Sequence, residues 1–302
     1  MNTTEKQILV LGGSGYIGQS FIKLTGWDNV LATYRSRPFS GGVFFDPSSV
    51  QLSDIFDGRG PFSHALILMG DTHMDSCARD PDRSKRINVN QILAIATELF
   101  VNNIKPIFIS TDMVFGGDRG NYTENDHAEP IVMYGKQKRD VEKFFQKSNR
   151  DYLIIRLSKV YGSELSDGTQ FTQWLEAISH GEQIALAADQ IFCPIFVSDV
   201  IDGIKIALKK NMSGLYHLAG PHAMNRVQMF TTLCKCLEAR FGKLPPLATK
   251  HCSINDFNFL EKRPLNCSMA SEKFIKATGL HPRPAESICR TIVESIAKWP
   301  MS

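Results

Sequence analysis

A glycine-rich turn near the start of the chain restricts its fold more than any other feature. An apolar run at residues 7–13 leads into GGSGYIG, where Gly12, Gly15 and Gly18 stand three residues apart. Glycine in such a turn permits a tight bend, a close approach of the backbone to a phosphate group, and close packing of helix on strand. The segment therefore predicts a strand followed by a helix whose N-terminal end can bind an anion.

Apolar runs alternate with amphipathic stretches through the first half of the chain. After the first strand we expect strands at 29–35, 64–70, 105–111 and 151–158, and helices at 16–25, 81–102 and 134–147. Strands bridged by helices in this way favour a parallel sheet covered on both faces. The predicted fold class is α/β, with a doubly wound parallel sheet of the Rossmann type.

Composition excludes several classes of protein. The 302 residues carry a formal net charge of +3, which is too small to indicate nucleic acid or an anionic membrane as a partner. No apolar run reaches the roughly 18 residues of a membrane span, and the N-terminus lacks the pattern of a secretory signal. The seven cysteines form no CxxC pair and no zinc-finger spacing, so we expect reduced thiols, no metal site and a cytoplasmic protein.

The segment after the second predicted strand indicates which dinucleotide the turn would hold. Folds that prefer NAD usually end this strand with an acidic residue for the ribose 2′-hydroxyl, whereas TYRSRP places Arg35 and Arg37 there. Guanidinium groups suit a 2′-phosphate better than a neutral hydroxyl, although two solvated loop arginines would give the same pattern. We predict NADPH as the cofactor, with Asp46 near its adenine.

The alternation weakens after Gly162. Further helices are expected at 169–180, 198–210, 225–241, 271–278 and 285–298, with a strand at 214–220. We predict an NADP-binding Rossmann domain over residues 1–162 and a smaller C-terminal substrate lobe over 163–302, some segments of which return to the first domain.

A tyrosine and a lysine stand four residues apart in YGKQK. Tyr134 and Lys138 share one face of a predicted helix, and Thr111 ends a strand at the edge where parallel sheets bind ligands. A cationic Lys138 would lower the pKa of Tyr134 from about 10 toward neutrality. Tyr134 could then protonate a carbonyl oxygen that Thr111 holds by a hydrogen bond. The same spacing alone also fits a surface pair, and the order of the motifs favours the catalytic set.

Several segments together resemble the extended short-chain dehydrogenase/reductases, and among them the dTDP-4-dehydrorhamnose reductases. They are GGSGYIG, ISTDMVFGG, YTENDHAEPIVMYGKQKRDVEKF and RLSKVYG, while DQIFCP, GLYHLAG and RPLNCS resemble the substrate lobe of that group. The resemblance covers nearly the whole chain. It implies an oxidoreductase of deoxysugar biosynthesis that uses NADPH to reduce a 4-keto-6-deoxy sugar carried on a nucleoside diphosphate, with hydride delivered to C4.

The resemblance also implies roles for individual residues. The implied catalytic residues are Thr111, Tyr134 and Lys138. The implied cofactor contacts are Gly12, Gly15, Tyr16, Ile17, Gly18, Met69, Gly70, Tyr134 and Lys138. The implied substrate contacts are Thr111, Asp112, Met113, Lys159 and Arg263. Asn88 matches a family asparagine that supports the proton relay and the local backbone.

Three positions depart from the pattern of these reductases. Their small-residue NAA turn after the fourth strand is LMG here, their aromatic residue after STD is Met113, and their RxSWVYG is RLSKVYG. Lys159 thus replaces a tryptophan expected to face the sugar, which removes a stacking surface and adds a cation. An acidic or differently phosphorylated substrate would suit that cation.

Two other functions stay open. The regulatory beta subunit of methionine adenosyltransferase keeps this fold and an NADP site, and RSRP and ESIAKWP resemble segments of it. A nucleotide-sugar epimerase or dehydratase would hold NAD tightly, and the arginines after the second strand count against it. As partners we expect the nucleotide-sugar substrate, neither nucleic acid nor membrane, and a homodimer as the association to test.

Overall fold

The computed structural model describes residues 7–26, 28–56, 58–162, 164–165 and 167–297, so the end of the ESIAKWP segment lies outside the described residues. The strands are β1 (Gln7–Leu11), β2 (Val30–Tyr34), β3 (Val43–Phe44), β4 (Phe62–Ile67), β5 (Lys105–Thr111), β6 (Leu153–Leu157), β7 (Val160–Tyr161), β8 (Ile184–Ala187), β9 (Ile195–Phe196), β10 (Gly214–Leu218) and β11 (Thr249–Cys252). The helices are α1 (Tyr16–Thr25), α2 (Met74–Arg79), α3 (Pro81–Lys85), α4 (Gln91–Val101), α5 (Met133–Lys147), α6 (Gln170–Ser179), α7 (Val197–Lys209), α8 (Arg226–Phe241), α9 (Glu272–Thr278) and α10 (Ala285–Ser295).

Seven strands form one sheet in the order β10-β6-β5-β4-β1-β2-β3. The pairs β1–β2, β1–β4, β2–β3 and β4–β5 are parallel. Every residue of β5 is buried, as expected of a central strand that helices cover on both faces. The predicted doubly wound parallel sheet is therefore confirmed.

The chain divides into two compact units. Unit 1 comprises Met1–Val114, Ala128–Arg156 and Ile204–Tyr216, and unit 2 comprises Phe115–His127, Leu157–Gly203 and His217–Ser302. The sequence-based division has one main boundary after residue 162, whereas these units interleave along the chain. Segment 204–216 belongs with unit 1 because it carries the end of α7 and most of β10, the edge strand of the large sheet.

Each unit has its own apolar core. In unit 1, residues of the central strands pack with α4 and α5, including Leu9, Leu99, Phe108 and Phe145. In unit 2, a second cluster joins α6, α8 and α10 to the short strands, with members such as Trp174, Leu233, Ile288, Tyr161 and Phe192. Within the described residues, no helix combines the length and apolar character that crossing a membrane requires.

The helix predicted at 81–102 is interrupted. It consists of α3, a π-helix at Arg86–Asn90, and α4. A π-helical turn inserts one residue into the helical repeat and often occurs at functional sites. Here it includes Asn88, whose side chain is buried, and hydrophobic periodicity alone does not reveal such an insertion.

The sequence also did not predict the small sheets of unit 2. Strand β7 pairs with β9, and β11 pairs with β8, both in parallel. Strands of two to four residues are too short to display the alternation by which a strand is recognised.

Candidate active site

The glycine turn is as compact as its spacing predicts. Gly12 has a φ of +91°, a conformation that side chains disfavour. A Cβ atom on it would lie 2.8 Å from the backbone nitrogen of Met69. A Cβ atom on Gly18 would lie 2.7 Å from the carbonyl oxygen of Gly12. These glycines therefore let the turn pack against the segment after β4 and let α1 pack against the turn.

The N-terminal end of α1 suits an anionic group. Gly15 occupies the N-cap position, and α1 has neither a side-chain cap nor an acidic residue in its first turn. The first N–H groups of a helix have no acceptors within the helix, and the positive end of its dipole lies there. The turn thus brings Gly12, Gly15, Tyr16, Ile17 and Gly18 together around a place that fits a pyrophosphate.

Charged residues follow the neighbouring strands of the sheet. Arg35 and Arg37 come directly after β2 and are exposed. Asp46, after β3, accepts hydrogen bonds from the backbone N–H (3.0 Å) and hydroxyl (2.7 Å) of Ser48. These bonds, with a smaller contribution from the charge of Arg35, lower the pKa of Asp46.

Tyr134, in the first turn of α5, meets the end of β5. Its side chain lies near enough to that of Thr111 for the threonine hydroxyl to lower the pKa of the phenol against the effect of burial. The Thr111 hydroxyl donates to Oδ1 of Asp112 (3.1 Å) and accepts from the backbone N–H of Met113 (3.2 Å). Sequence reasoning named Thr111 and Tyr134, and the structure adds Asp112 as the acceptor of the threonine hydroxyl.

The second residue of YGKQK makes this contact feasible. A Cβ atom on Gly135 would overlap the carbonyl oxygen of Met113. Only glycine lets α5 lie this close to the 3₁₀ turn Asp112–Val114. The prediction missed Gly135, although a glycine beside the tyrosine was a visible signal of close packing.

The side chain of Lys138 contacts β5. Its ammonium nitrogen donates to the carbonyl oxygen of Ile109 (2.8 Å) and lies 4.5 Å from the ring centroid of Phe108. The distance to the ring centroid of Tyr134 is 5.9 Å. Burial lowers the pKa of Lys138 to about 8, although the negative charge of Glu142 acts in the opposite direction.

The pKa of Tyr134 is raised, not lowered. Burial is the largest cause and the charge of Asp112 the second, while the hydrogen bond to Thr111 acts in the opposite direction. The side chain keeps some accessible surface, yet the protein surrounds its hydroxyl closely enough for desolvation to dominate. The expectation that Lys138 brings this pKa toward neutrality is therefore wrong. A raised pKa keeps the phenol in the protonated form that a proton donor needs.

A buried chain of amides connects the loop after β4 to α5. Nδ2 of Asn88 donates to Oε1 of Gln137 (2.8 Å), and its Oδ1 accepts from the backbone N–H of Asp71 (2.7 Å). Nε2 of Gln137 donates to the hydroxyl of Ser84 (2.7 Å). Sequence reasoning named Asn88 but missed Gln137 and Ser84, because only the fold brings these distant residues together.

Met69 and Gly70 border this chain of amides. The side chain of Met69 packs partly buried on the apolar core of unit 1. Gly70 has a φ of +142°, and a Cβ atom on it would lie 2.9 Å from Oδ1 of Asn88. Both residues therefore lie where the glycine turn and the Asn88 hydrogen bonds meet.

The other predicted substrate contacts belong to unit 2. Lys159 is exposed, and its carbonyl oxygen accepts from the backbone N–H of Ile195 (3.0 Å). Arg263 is buried, with its guanidinium 4.3 Å from the ring centroid of Phe259. A cleft of about 780 Å³ in unit 2, between α8 and α10, contains none of the predicted site residues. Among the described residues, no group of three or more His, Cys, Asp or Glu side chains could hold a metal ion.

Comparisons with known proteins identify relatives along the whole chain. The family model described as RmlD substrate binding domain matches residues 6–297. The spore coat polysaccharide biosynthesis protein SpsK of Bacillus subtilis (strain 168) is 27% identical, over 92% of this chain and 93% of that protein. Methionine adenosyltransferase 2 subunit beta of Mus musculus is 24% identical, over 82% of this chain and 77% of that protein.

A solved structure matches the fold. The dTDP-4-dehydrorhamnose reductase (rfbD) of Bacillus anthracis str. Ames, in complex with NADP, superposes with a TM-score of 0.79 at 20% identity. The match covers 97% of this chain and 100% of the other. With the family match over residues 6–297, the chain belongs to the RmlD substrate-binding domain family of extended short-chain dehydrogenase/reductases.

Proposed function

We propose that this protein is an NADPH-dependent reductase of a nucleoside-diphospho 4-keto-6-deoxy sugar, similar to the dTDP-4-dehydrorhamnose reductases. The observation that most supports this proposal is that Tyr134 lies near Thr111 at the end of β5. Burial raises the pKa of Tyr134 and so keeps the phenol protonated. A protonated phenol beside a second hydroxyl is suited to protonating a carbonyl oxygen during reduction. The polysaccharide biosynthesis protein and the rhamnose-type reductase among the relatives support a sugar substrate.

Each catalytic side chain has a separate task. NADPH, when bound, supplies the hydride that reaches C4 of the sugar. Thr111 would donate its hydroxyl proton to the carbonyl oxygen in place of its bond to Oδ1 of Asp112, while the backbone N–H of Met113 continues to hold the threonine oxygen. Tyr134 gives this oxygen a proton, and the nearby ammonium of Lys138 stabilises the phenolate that remains.

The cofactor half of the proposal rests on the glycine turn and the residues after β2. The N-terminal end of α1 would bind the pyrophosphate, and Arg35 and Arg37 would bind the 2′-phosphate. Asp46 would lie near the adenine, and Met69 and Gly70 against the nicotinamide half. The relative that was crystallised with NADP supports this choice.

The substrate half carries over the residues that the family resemblance implies. We assign Asp112 and Met113 to the sugar, beside Thr111. We assign Lys159 and Arg263 to the remainder of the substrate. Lys159 adds a cation where the rhamnose-type reductases have tryptophan, so a substrate with a further acidic or phosphate group would use it.

The test is NADPH oxidation with a panel of nucleoside-diphospho 4-keto-6-deoxy sugars, with NADH run in parallel. We expect turnover of one member with NADPH. Tyr134→Phe should lower kcat by about 10²- to 10⁴-fold, because it removes the proton donor, while NADPH affinity should stay unchanged. Tyr152→Phe, at another partly buried tyrosine of unit 1, is the matched control. A Tyr134→Phe variant as fast as the parent would contradict the assignment.

The relative in Mus musculus favours a second candidate, an NADP-binding regulatory subunit. Such a subunit would bind NADPH and turn over no member of the panel. It would instead change the activity of a partner enzyme when the two are mixed. Tightly bound NAD in the purified protein would indicate an epimerase or dehydratase.

A further inference from the structure

A fully buried ion pair lies beneath the catalytic residues, and the mechanism proposed above does not use it. Glu142 on α5 is 0% exposed, and Arg156 on β6 is 1% exposed. Nε of Arg156 donates to Oε1 of Glu142 (2.8 Å), and its Nη2 donates to Oε2 (2.7 Å). This bidentate geometry is the strongest form of an arginine–carboxylate contact.

Two further donors complete the environment of the Glu142 carboxylate. The hydroxyl of Ser110 donates to Oε1 (2.6 Å), and Nη1 of Arg139 donates to Oε2 (3.2 Å). Each carboxylate oxygen therefore accepts two hydrogen bonds. Four donors, three of them from guanidinium groups, hold the carboxylate of Glu142 in place.

Three consecutive residues of β5 contact three successive turns of α5, and we call this set the β5–α5 ladder. Its contacts are Ile109 with Lys138 (2.8 Å), Ser110 with Glu142 (2.6 Å) and Thr111 with Tyr134. The helix residues stand four apart, so they share one face. The contact of Glu142 thus lies in the same series as the two contacts that place the catalytic side chains.

Stability alone does not explain a buried ion pair. Removing two charges from water costs several kcal/mol per ion, and a well-packed apolar pair is often at least as stable. The negative charge of Glu142 acts on a neighbouring residue of α5. It raises the pKa of Lys138, whereas burial lowers that pKa. Tyr134 on α5 and Cys77 on α2 are further ionisable groups near Lys138.

We infer that Glu142 and Arg156 are positioning residues of this active site. The pair sets the register of α5 on β5 through Ser110, and its carboxylate keeps Lys138 cationic. The inference rests on the proposed function for its kinetic consequence, but its electrostatic consequence can be measured without any substrate.

The experiment compares Glu142→Gln and Ser110→Ala with the parent protein. Glu142→Gln removes the charge, so the Lys138 ammonium should lose its proton at a pH lower by roughly half a unit or more. Lysine side-chain NMR of the NADPH-free protein measures this titration, with Lys138→Met giving the assignment. Ser110→Ala removes one contact of the β5–α5 ladder and no charge, so it should leave the titration unchanged.

If the parent protein turns over a substrate, steady-state kinetics measure the positioning effect. Ser110→Ala should lower kcat by about ten-fold, because small displacements of reacting groups cost this much or more. NADPH affinity and KM should stay close to the parental values. Glu98→Gln, at a partly buried carboxylate of α4 that accepts from Leu52, is the matched control and should change neither quantity.

The outcomes separate the two hypotheses. If the parent protein turns over no member of the panel, the proposed function is overturned. The Lys138 titration then remains as the test of the ion pair. An unchanged titration in folded Glu142→Gln overturns the electrostatic part. If Glu142→Gln fails to fold, Arg139→Gln tests the same part by removing one positive charge beside the carboxylate, which should raise the Lys138 titration midpoint. An unchanged midpoint in folded Arg139→Gln overturns the electrostatic part. A Ser110→Ala variant with parental kcat overturns the positioning part.

Discussion

Burial shifts the pKa values of Tyr134 and Lys138 in opposite directions. It raises the pKa of Tyr134 and lowers that of Lys138 to about 8, because the phenol is neutral when protonated and the amine is neutral when deprotonated. Near neutral pH the site therefore contains a protonated phenol and a lysine that is mostly, but not wholly, cationic. The reduction that we propose would use this combination.

The lowered pKa of Lys138 has a consequence for stability. Its ordinary value is 10.5 and its value in the folded protein about 8, so between these pH values the unfolded chain binds more protons and stability rises with pH. Below about pH 8 the buried cation costs on the order of 3 kcal/mol. We expect Lys138→Met to be more stable than the parent at about pH 7, with the gap narrowing as the pH rises to about 10.

Urea unfolding of the parent and of Lys138→Met at several pH values measures this gap. Lys136→Met, at an exposed position two residues earlier, is the control and should show no pH-dependent difference from the parent. A gap between Lys138→Met and the parent that stays constant with pH would show that the lysine is not destabilised by burial.

At the scale of elements, the site depends on how closely α5 approaches the end of β5. Gly135→Ala would place a methyl group onto the carbonyl oxygen of Met113. We expect a loss of roughly 1–3 kcal/mol in stability, because such overpacking forces the backbone to shift. The kcat should fall as well, since the shift displaces Thr111 from Tyr134.

Thermal unfolding and steady-state kinetics of Gly135→Ala test this prediction. Lys136→Ala, the next residue along α5, adds a good helix former at an exposed position and should leave both quantities near the parental values. A Gly135→Ala variant that keeps parental stability and kcat would mean that α5 can move without harm.

The features that sequence predicts well at this scale are local. The glycine turn, α1 and the Tyr134–Lys138 spacing each depend on residues within one or two helical turns, so their pattern is visible in the sequence. The contact of Glu142 with Arg156 joins α5 to β6, and no spacing rule indicates it. The pKa direction of Tyr134 was missed for the same reason, since burial and the packing of Asp112 decide it.

At the scale of the whole molecule, the two units interleave along the chain. A fragment of residues 1–162 would contain β6 but lack β10, its neighbour in the sheet. The exposed edge of β6 would then be open to pairing with other chains. We expect this fragment to self-associate or aggregate at concentrations where the full chain keeps a defined size, as measured by light scattering after size exclusion. A monomeric fragment with cooperative unfolding would instead support a folding boundary at residue 162.

The same strand order has a consequence for synthesis on the ribosome. Strand β10 begins 57 residues after β6 ends. At about 5–20 residues per second, β6 is made roughly 3–11 s before its outer neighbour. During this interval the nascent sheet has an open edge, so a molecular chaperone that binds extended strands has its best opportunity there. Slowing translation between these two strands would lengthen the period in which the growing chain needs such protection.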